Sequence, residues 1–368
     1  MTRSRPVVLA VAACFSVSVA TAVAAPDDIP PVAPESGPWD AGDGFKFDKK
    51  EKKKRKALSG IACPANASGQ RLCLAVFDEG GEARYLVIRD GAYTVDNEPV
   101  VLVPGDVELD AEAAATGSGF YYVTGSHSAK RNDCDNNPES RRVIRFRVDP
   151  GTGRALRAAG PGAELAGYAS TDRLWTVMAA VPGLKDHVGN HMCLGTQPPK
   201  DAPHLPGKRG VNIEGLAFMG GRLFFGFRGP AIDGTARILD VDADALFGTA
   251  DPGPKLSTIW VGPGRAIRDL HAVRDGILVL AGPDDDAQNK DVPWIVMRWD
   301  GQHTGSATGK PKPLARLVLD SVVKRPCDDE LKPEAMAVVD DKPGEPYRVI
   351  IFSDGMCDGG PLGFSIRR

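Results

Sequence analysis

The sequence predicts an all-β chain folded as a β-propeller of about five four-stranded blades, six in the alternative, with a helical insertion. Three observations carry this. Gly (42) and Pro (30) are abundant in 368 residues, which favours many turns over long helices. Apolar runs of strand length are joined by Gly-Gly or Asp-Gly turns, the signature of β-hairpins. A unit made of a polar residue, two positions, Ala, a turn and a second strand recurs five times.

Its first copy is Ser59-Gly60-Ile61-Ala62 followed by Leu74 to Glu79, and its second is Glu112 to Ala115 followed by Tyr121 to His127. The third, the clearest, runs from Asn212-Ile213-Glu214-Gly215-Leu216-Ala217 through Gly220-Gly221 to Leu223-Phe224-Phe225-Gly226-Phe227-Arg228. Arg268-Asp269-Leu270-His271-Ala272 with Leu278 to Asp284, and Pro333 to Ala337 with Val349 to Asp354, complete the series. Further apolar runs after most hairpins, such as Val143 to Val148 and Trp294 to Trp299, bring the count towards four strands per unit, as in a propeller blade. The aligned polar positions are 59, 112, 214, 269 and 334, at intervals of 53, 102, 55 and 65 residues. The doubled interval holds either a sixth, degenerate blade or an insertion. Residues 169–188 resemble a capped helix, which favours the insertion.

Residues 1–24 read as a signal peptide: Arg3 and Arg5 precede an apolar stretch, and Ala22-Val23-Ala24 supplies small residues for cleavage. Secretion or a periplasmic location follows, with no membrane span after processing. In the alternative, Val11-Ala12-Ala13-Cys14 is a lipobox and Cys14 an acylated anchor. Residues 25–56 are expected to be a flexible segment ending in the basic run Lys49 to Lys56, and residues 57–368 to be one propeller domain. Six cysteines remain beyond the leader, an even number that suits disulfides in an exported chain. The hairpin reading pairs Cys63 with Cys73, Cys134 with Cys193, and Cys327 with Cys357. A formal charge of -3, or -5 once Arg3 and Arg5 are removed, excludes a general nucleic-acid binder.

Four ordered motifs, Arg209 to Ala217, Gly226-Phe227-Arg228-Gly229-Pro230, Gly264 to Leu270 and Pro333-Glu334-Ala335, together resemble the bacterial family called domain of unknown function 3616 over about residues 57–366. The resemblance implies a propeller-like fold and a secreted setting, with no established reaction. It departs at Glu112-Ala113 and Glu334-Ala335, where related chains tend to have Glu-Gly. A more distant similarity is to esterase-like phytases.

In an antiparallel hairpin the start of one strand lies beside the end of the next. Glu112 is thereby matched with His127, Glu214 with Arg228, Asp269 with Asp284, Glu334 with Asp354, and Ser59 with Asp78, all around one channel mouth. Converging carboxylates repel unless a cation intervenes. One candidate is a hard divalent cation such as Ca²⁺ on Glu214, Asp269 and Glu334 with Asn212; the other is the pair Arg228 and Arg268. The expected activity is hydrolysis of a small anionic ester or phosphoester by Glu214, Asp269, Glu334 and His127. Asn212, Arg228, Arg268, Asp284, Asp354 and Glu112 would bind the ligand. The alternative is a non-catalytic propeller that binds a small ligand, glycan or protein there, and the chain is expected to be a monomer. Weaker signals are the calcium-loop-like Asp240 to Asp244, Ser126 beside His127, and His187 and His191 near Cys193. Each lacks a defining residue of its motif.

Overall fold

The computed structural model describes residues 29–368 except 90, 159–163, 196, 200–202, 206, 208, 286–288, 290, 304 and 306. After the short strand β1 (Pro31–Val32) and helix α1 (Glu51–Lys54), the chain builds five sheets in order. Blade 1 is β2 (Leu58–Ala62), β3 (Arg71–Phe77), β4 (Glu82–Arg89) and β5 (Ala92–Val101). Blade 2 is β6 (Ala111–Gly117), β7 (Phe120–Gly125), β8 (Val143–Arg147) and β9 (Ala169–Thr171), followed by α2 (Arg173–Ala180). Blade 3 is β10 (Asn212–Met219), β11 (Arg222–Gly229) and β12 (Thr235–Asp242), then α3 (Ala243–Phe247) and β13 (Lys255–Trp260). Blade 4 is β14 (Arg265–Val273), β15 (Gly276–Pro283), β16 (Ile295–Trp299) and β18 (Lys312–Leu317), while β17 (Thr308–Gly309) joins the edge of blade 3. Blade 5 is β19 (Lys332–Asp340), β20 (Tyr347–Asp354) and β21 (Leu362–Ile366).

The first strand of each blade faces the axis. β2, β6, β10, β14 and β19 pack one against the next, and β19 returns to β2. Their small residues permit this. A Cβ on Gly60 would lie 2.7 Å from the Ala113 Cα, and one on Gly215 would lie 3.0 Å from the Leu270 amide nitrogen. Between blades, buried aliphatic and aromatic side chains form the core, as where Leu216, Phe225 and Phe227 meet Ala113 and Tyr122.

The doubled interval contains an insertion, and the described residues form five sheets. The expected helix over 169–188 is shorter. Ala169–Thr171 instead pairs with β8, because Ser170 and Thr171 complete the outer edge of blade 2, and helix begins only at Arg173. Cys63–Cys73, Cys134–Cys193 and Cys327–Cys357 are bonded as the hairpin reading pairs them. No helix among the described residues is long and apolar enough to cross a membrane. The leader and Cys14 lie outside the described residues.

Residues 29–56 differ from the flexible segment expected. β1 pairs in parallel with β18 of blade 4, and the Glu35 and Trp39 amides donate to Gly363 and Pro361 carbonyls of blade 5. Phe45 and Phe47 then stand edge-on to Phe77 of blade 1, each 5.1 Å away. The segment therefore clasps the last two blades to the first. Composition suggested mobility, but three buried aromatics outweigh the ordering entropy of a Pro- and Gly-rich strand of chain. Because Phe45 is fully buried in that clasp, Phe45→Ala should cost about 3–5 kcal/mol, read as a lower denaturant midpoint.

Candidate functional site

Each inner strand breaks register with its neighbour near its start, and β10 and β19 carry a second shift. The breaks fall between Leu58 and Gly60, Ala111 and Ala113, Ile213 and Gly215, Ile267 and Asp269, and Pro333 and Ala335. The extra residue at each bulge is Ser59, Glu112, Glu214, Arg268 or Glu334. A bulge re-aims a side chain out of the alternation of the sheet, and here it does so at five equivalent positions.

This ring corrects the expected one at blade 4, where Arg268 rather than Asp269 occupies the equivalent position. Asp269 falls one residue later, in line with Gly60, Ala113, Gly215 and Ala335. Its carboxylate there accepts the amides of Leu270 (2.7 Å) and Met336 (2.6 Å), so it ties blade 4 to blade 5. An alignment on the acidic residue was off by one because Arg and Asp are adjacent, and pairing register is invisible in composition.

Arg268, fully buried, is the hub of the ring. Its Nε lies 2.7 Å from Glu214 Oε2, its Nη2 bonds Glu334, and its Nη1 donates to the Pro283 carbonyl at 3.2 Å. Glu214 also takes Arg228 Nη1 at 2.9 Å and Asn212 Nδ2 at 3.0 Å, while Ser59 Oγ donates to Glu334 at 3.5 Å. Burial raises the Glu334 carboxyl to about 8, against the pull of Arg268. Burial, then Asp110 and Glu214, pushes Glu112 well above the usual carboxylate range.

The strand-end partners fare differently. Arg228 meets Glu214 as expected, whereas Asp284 turns away to Arg209 (2.8 Å) and Asn289 (2.6 Å). Asp354 lies 3.5 Å from Lys332, and its carboxyl is raised chiefly by burial. His127 is shut from solvent, neither ring nitrogen has a hydrogen-bond partner, and burial lowers it to about 3. It is a neutral ring beneath the loop of Ser140, whose carbonyl accepts its amide, and it forms no hydrogen bond with Glu112 or Ser126. Ser126 instead bonds Asp110, a residue the sequence reading passed over and whose carboxyl burial raises to about 6.

The donor set proposed for Ca²⁺ does not assemble as a cation shell. Glu214 and Glu334 are occupied by Arg268, and Asp269 by backbone amides. The internal arginine, the other candidate, neutralises this ring. Among the described residues, the cluster of three metal-capable side chains is Cys327, Asp328 and Cys357, two of them joined in a disulfide. The weaker motifs also have structural partners. Asp242 caps α3 through the Ala245 amide (2.8 Å), His187 Nδ1 lies 2.7 Å from the Arg209 carbonyl, and His191 Nδ1 lies 3.1 Å from that of Cys134.

At the seam between blades 5 and 1 lies a cavity of about 640 Å³ lined by Asp78, Glu79, Asp329, Glu330 and Asp354 of the propeller and by Lys50 to Lys53, Lys56 and Ala57 of the N-terminal segment. Asp78 Oδ1 is cut off from solvent without a hydrogen-bond partner, and burial followed by the charge of Asp354 raises its carboxyl well above normal. The charge of Asp354 also raises Glu334. The basic run forms one wall and is neutralised by the propeller: Lys53 by Glu79, Lys54 by Glu82 (2.9 Å) and Lys56 by Asp329 (2.6 Å). Sequence reasoning took this run for a free tail, since its partners lie on loops distant in the chain. An alternation of lysines and acids in separate segments was the available signal.

Two outcomes test this geometry. Raised carboxyls bind protons more tightly in the folded chain than in the unfolded one. Their stabilisation is thus complete below about pH 4 and is lost as pH rises through about 6 for Asp110 and about 8 for Glu334. The melting temperature should fall from pH 5 to 9, and Asp110→Asn should flatten the lower part of that decline. Asp269→Ala, by leaving the Leu270 amide and the interblade Met336 amide unpaired, should cost about 2 kcal/mol or more in chemical denaturation.

Among proteins of known structure, the chain is similar to the calcium-binding protein regucalcin from Agrobacterium tumefaciens at 11% identity, over 91% of this chain and 95% of that one, with a TM-score of 0.36. It is similar to the gluconolactonase XC5397 from Xanthomonas campestris at 13% identity, over 92% and 88% of the two chains, with a TM-score of 0.34. It is also similar to the WD40 β-propeller domain of Doa1 at 11% identity and a TM-score of 0.30, over 88% of this chain and 66% of that one. No curated protein matches. Residues 158–358, more than half of the chain, match the family described as Protein of unknown function (DUF3616), and the chain belongs to that family.

Proposed function

We propose that this protein hydrolyses a small anionic ester or phosphoester in the cavity at the seam, rather than within the arginine ring. The observation that carries the reading is that Asp78 and Asp354, from the first and last blades, line one cavity in which burial raises both carboxyls and the charge of Asp354 raises Asp78 further. Two carboxyls so placed do not ionise together near neutrality. One keeps its proton and acts as general acid, while the other acts as base. The base takes a proton from water, whose oxygen forms a bond to the carbonyl carbon or phosphorus. The ester bond then breaks, and the acid delivers its proton to the departing oxygen. Lys50, Lys52, Lys53 and Lys56 form the wall that faces the substrate.

Three disulfides suit an oxidising compartment, which supports the reading of residues 1–24 as a leader and of the chain as exported. A non-catalytic binding propeller is favoured by one feature, the engagement of Glu214 by Asn212, Arg228 and Arg268, which withdraws a buried carboxylate from chemistry.

A panel of phosphate, lactone and carboxylester substrates separates the two. On the substrate that turns over, Asp78→Asn and Asp354→Asn should each lower kcat by about 10²–10⁴-fold with the melting temperature retained. Turnover should also fall at high pH as the general acid loses its proton. No turnover on any substrate, or variants as active as the parent, would remove the hydrolase reading in favour of the binding one.

A further inference from the structure

We propose that Lys52 is the residue that selects an anionic ligand at the seam cavity, by taking the ligand's phosphate or carboxylate group. This deepens the hydrolase reading and rests on it for the site, though not for the binding. The basic run is a fixed wall, because its backbone is stitched to both blades that meet there. The Ala57 carbonyl accepts the Asp78 amide (3.0 Å), the Lys56 carbonyl accepts the Gly355 amide (2.8 Å), and the Arg55 carbonyl accepts the Asp358 amide (2.6 Å). Arg55 adds an ion pair to Asp358 at 2.5 Å. The backbone that carries the lysines is thereby anchored to the propeller.

Five of the six lysines in the run have a carboxylate on the propeller. Lys49 pairs with Asp106 at 2.7 Å, Lys50 with Glu79 and Glu108 at 3.7 Å each, Lys53 with Glu79, Lys54 with Glu82 and Lys56 with Asp329. Lys52 has no such ion pair among the described residues. Its charge is felt by Asp329, but that carboxylate is already held by Lys56 at 2.6 Å. Lys52 lines the same cavity as Asp78 and Asp354. Those two carboxyls are poor counter-ions for it, since burial favours the neutral form of both, and the charge of Asp354 adds to it at Asp78. An ammonium at the rim of a cavity, with its neighbours' charges already matched, is complemented by an oxyanion arriving from solution.

The test titrates inorganic phosphate, and separately acetate, into the whole chain and into Lys52→Gln, Lys52→Arg and Lys49→Gln, with binding followed by NMR shifts or calorimetry. Lys49→Gln removes the same charge from the same run without touching the cavity. At least one anion should bind the parent. Lys52→Gln should weaken it about five- to tenfold, Lys52→Arg should restore it, and Lys49→Gln should leave it unchanged. The anion that binds identifies whether the ligand is a phosphate or a carboxylate. Equal weakening by Lys49→Gln and Lys52→Gln, no effect of Lys52→Gln, or no binding of either anion overturns the assignment. Binding that depends on Lys52 without turnover of any ester upholds it while removing the hydrolase reading. Turnover with unaltered binding in Lys52→Gln does the reverse.

Discussion

The guanidinium of Arg268 at the axis is the interaction on which the rest of the centre depends. A buried arginine is tolerated only when its charge is matched and its hydrogens are bonded. Glu214 of blade 3 and Glu334 of blade 5 supply that match, and the Pro283 carbonyl of the arginine's own blade takes a further hydrogen. The face of Trp294 lies 5.4 Å from the guanidinium carbon. Three blades are thereby linked through one side chain, and the channel has a polar plug where side chains from five strands would otherwise leave a gap or a set of repelling acids.

This plug divides the carboxyls into two classes. Glu214, held by Arg228 and Arg268, has its charge matched, whereas Asp269 and Glu334 stay raised by burial despite their partners. Carboxyls beyond the reach of the plug, Asp78 and Glu112, retain their burial cost and are driven towards the neutral form. Reactive potential therefore collects at the seam where the first and last blades meet. Closure of the ring, anchoring of the N-terminal segment and formation of the cavity wall are accomplished by one stretch of chain, residues 29–57. An origin shared by clasp and cavity wall couples the integrity of the propeller to the shape of the site.

Much of the architecture was legible because it rests on local rules. Gly220 and Gly221 adopt the positive φ values of 58° and 79° that a tight hairpin turn requires, and this turn marks the hairpin of blade 3 in the sequence. The neighbouring inner strands needed small residues, which gave the recurring Ala and Gly their period. The pairing of Glu214 with Arg228 followed from hairpin geometry alone. The basic run was misread for the opposite reason. Nothing near Lys53 or Lys56 in the chain names Glu79 or Asp329 as partners, so a block of like charge reads as solvated and mobile until the fold supplies counter-ions.

What the sequence by itself determined is the repeat: five hairpin units, their turns, the export-type cysteines and the polar residue that opens each inner strand. The hairpins and their turns are set by residues close in the chain, where period and turn chemistry act directly. Only the tertiary structure decided that Arg268 rather than Asp269 joins the ring, that His127 is sealed away without a partner, and that Asp78 and Asp354 share a cavity. A one-residue bulge exchanges the two faces of a strand, and closing a ring brings together groups some 276 positions apart, from 78 to 354; neither event leaves a local trace in the chain.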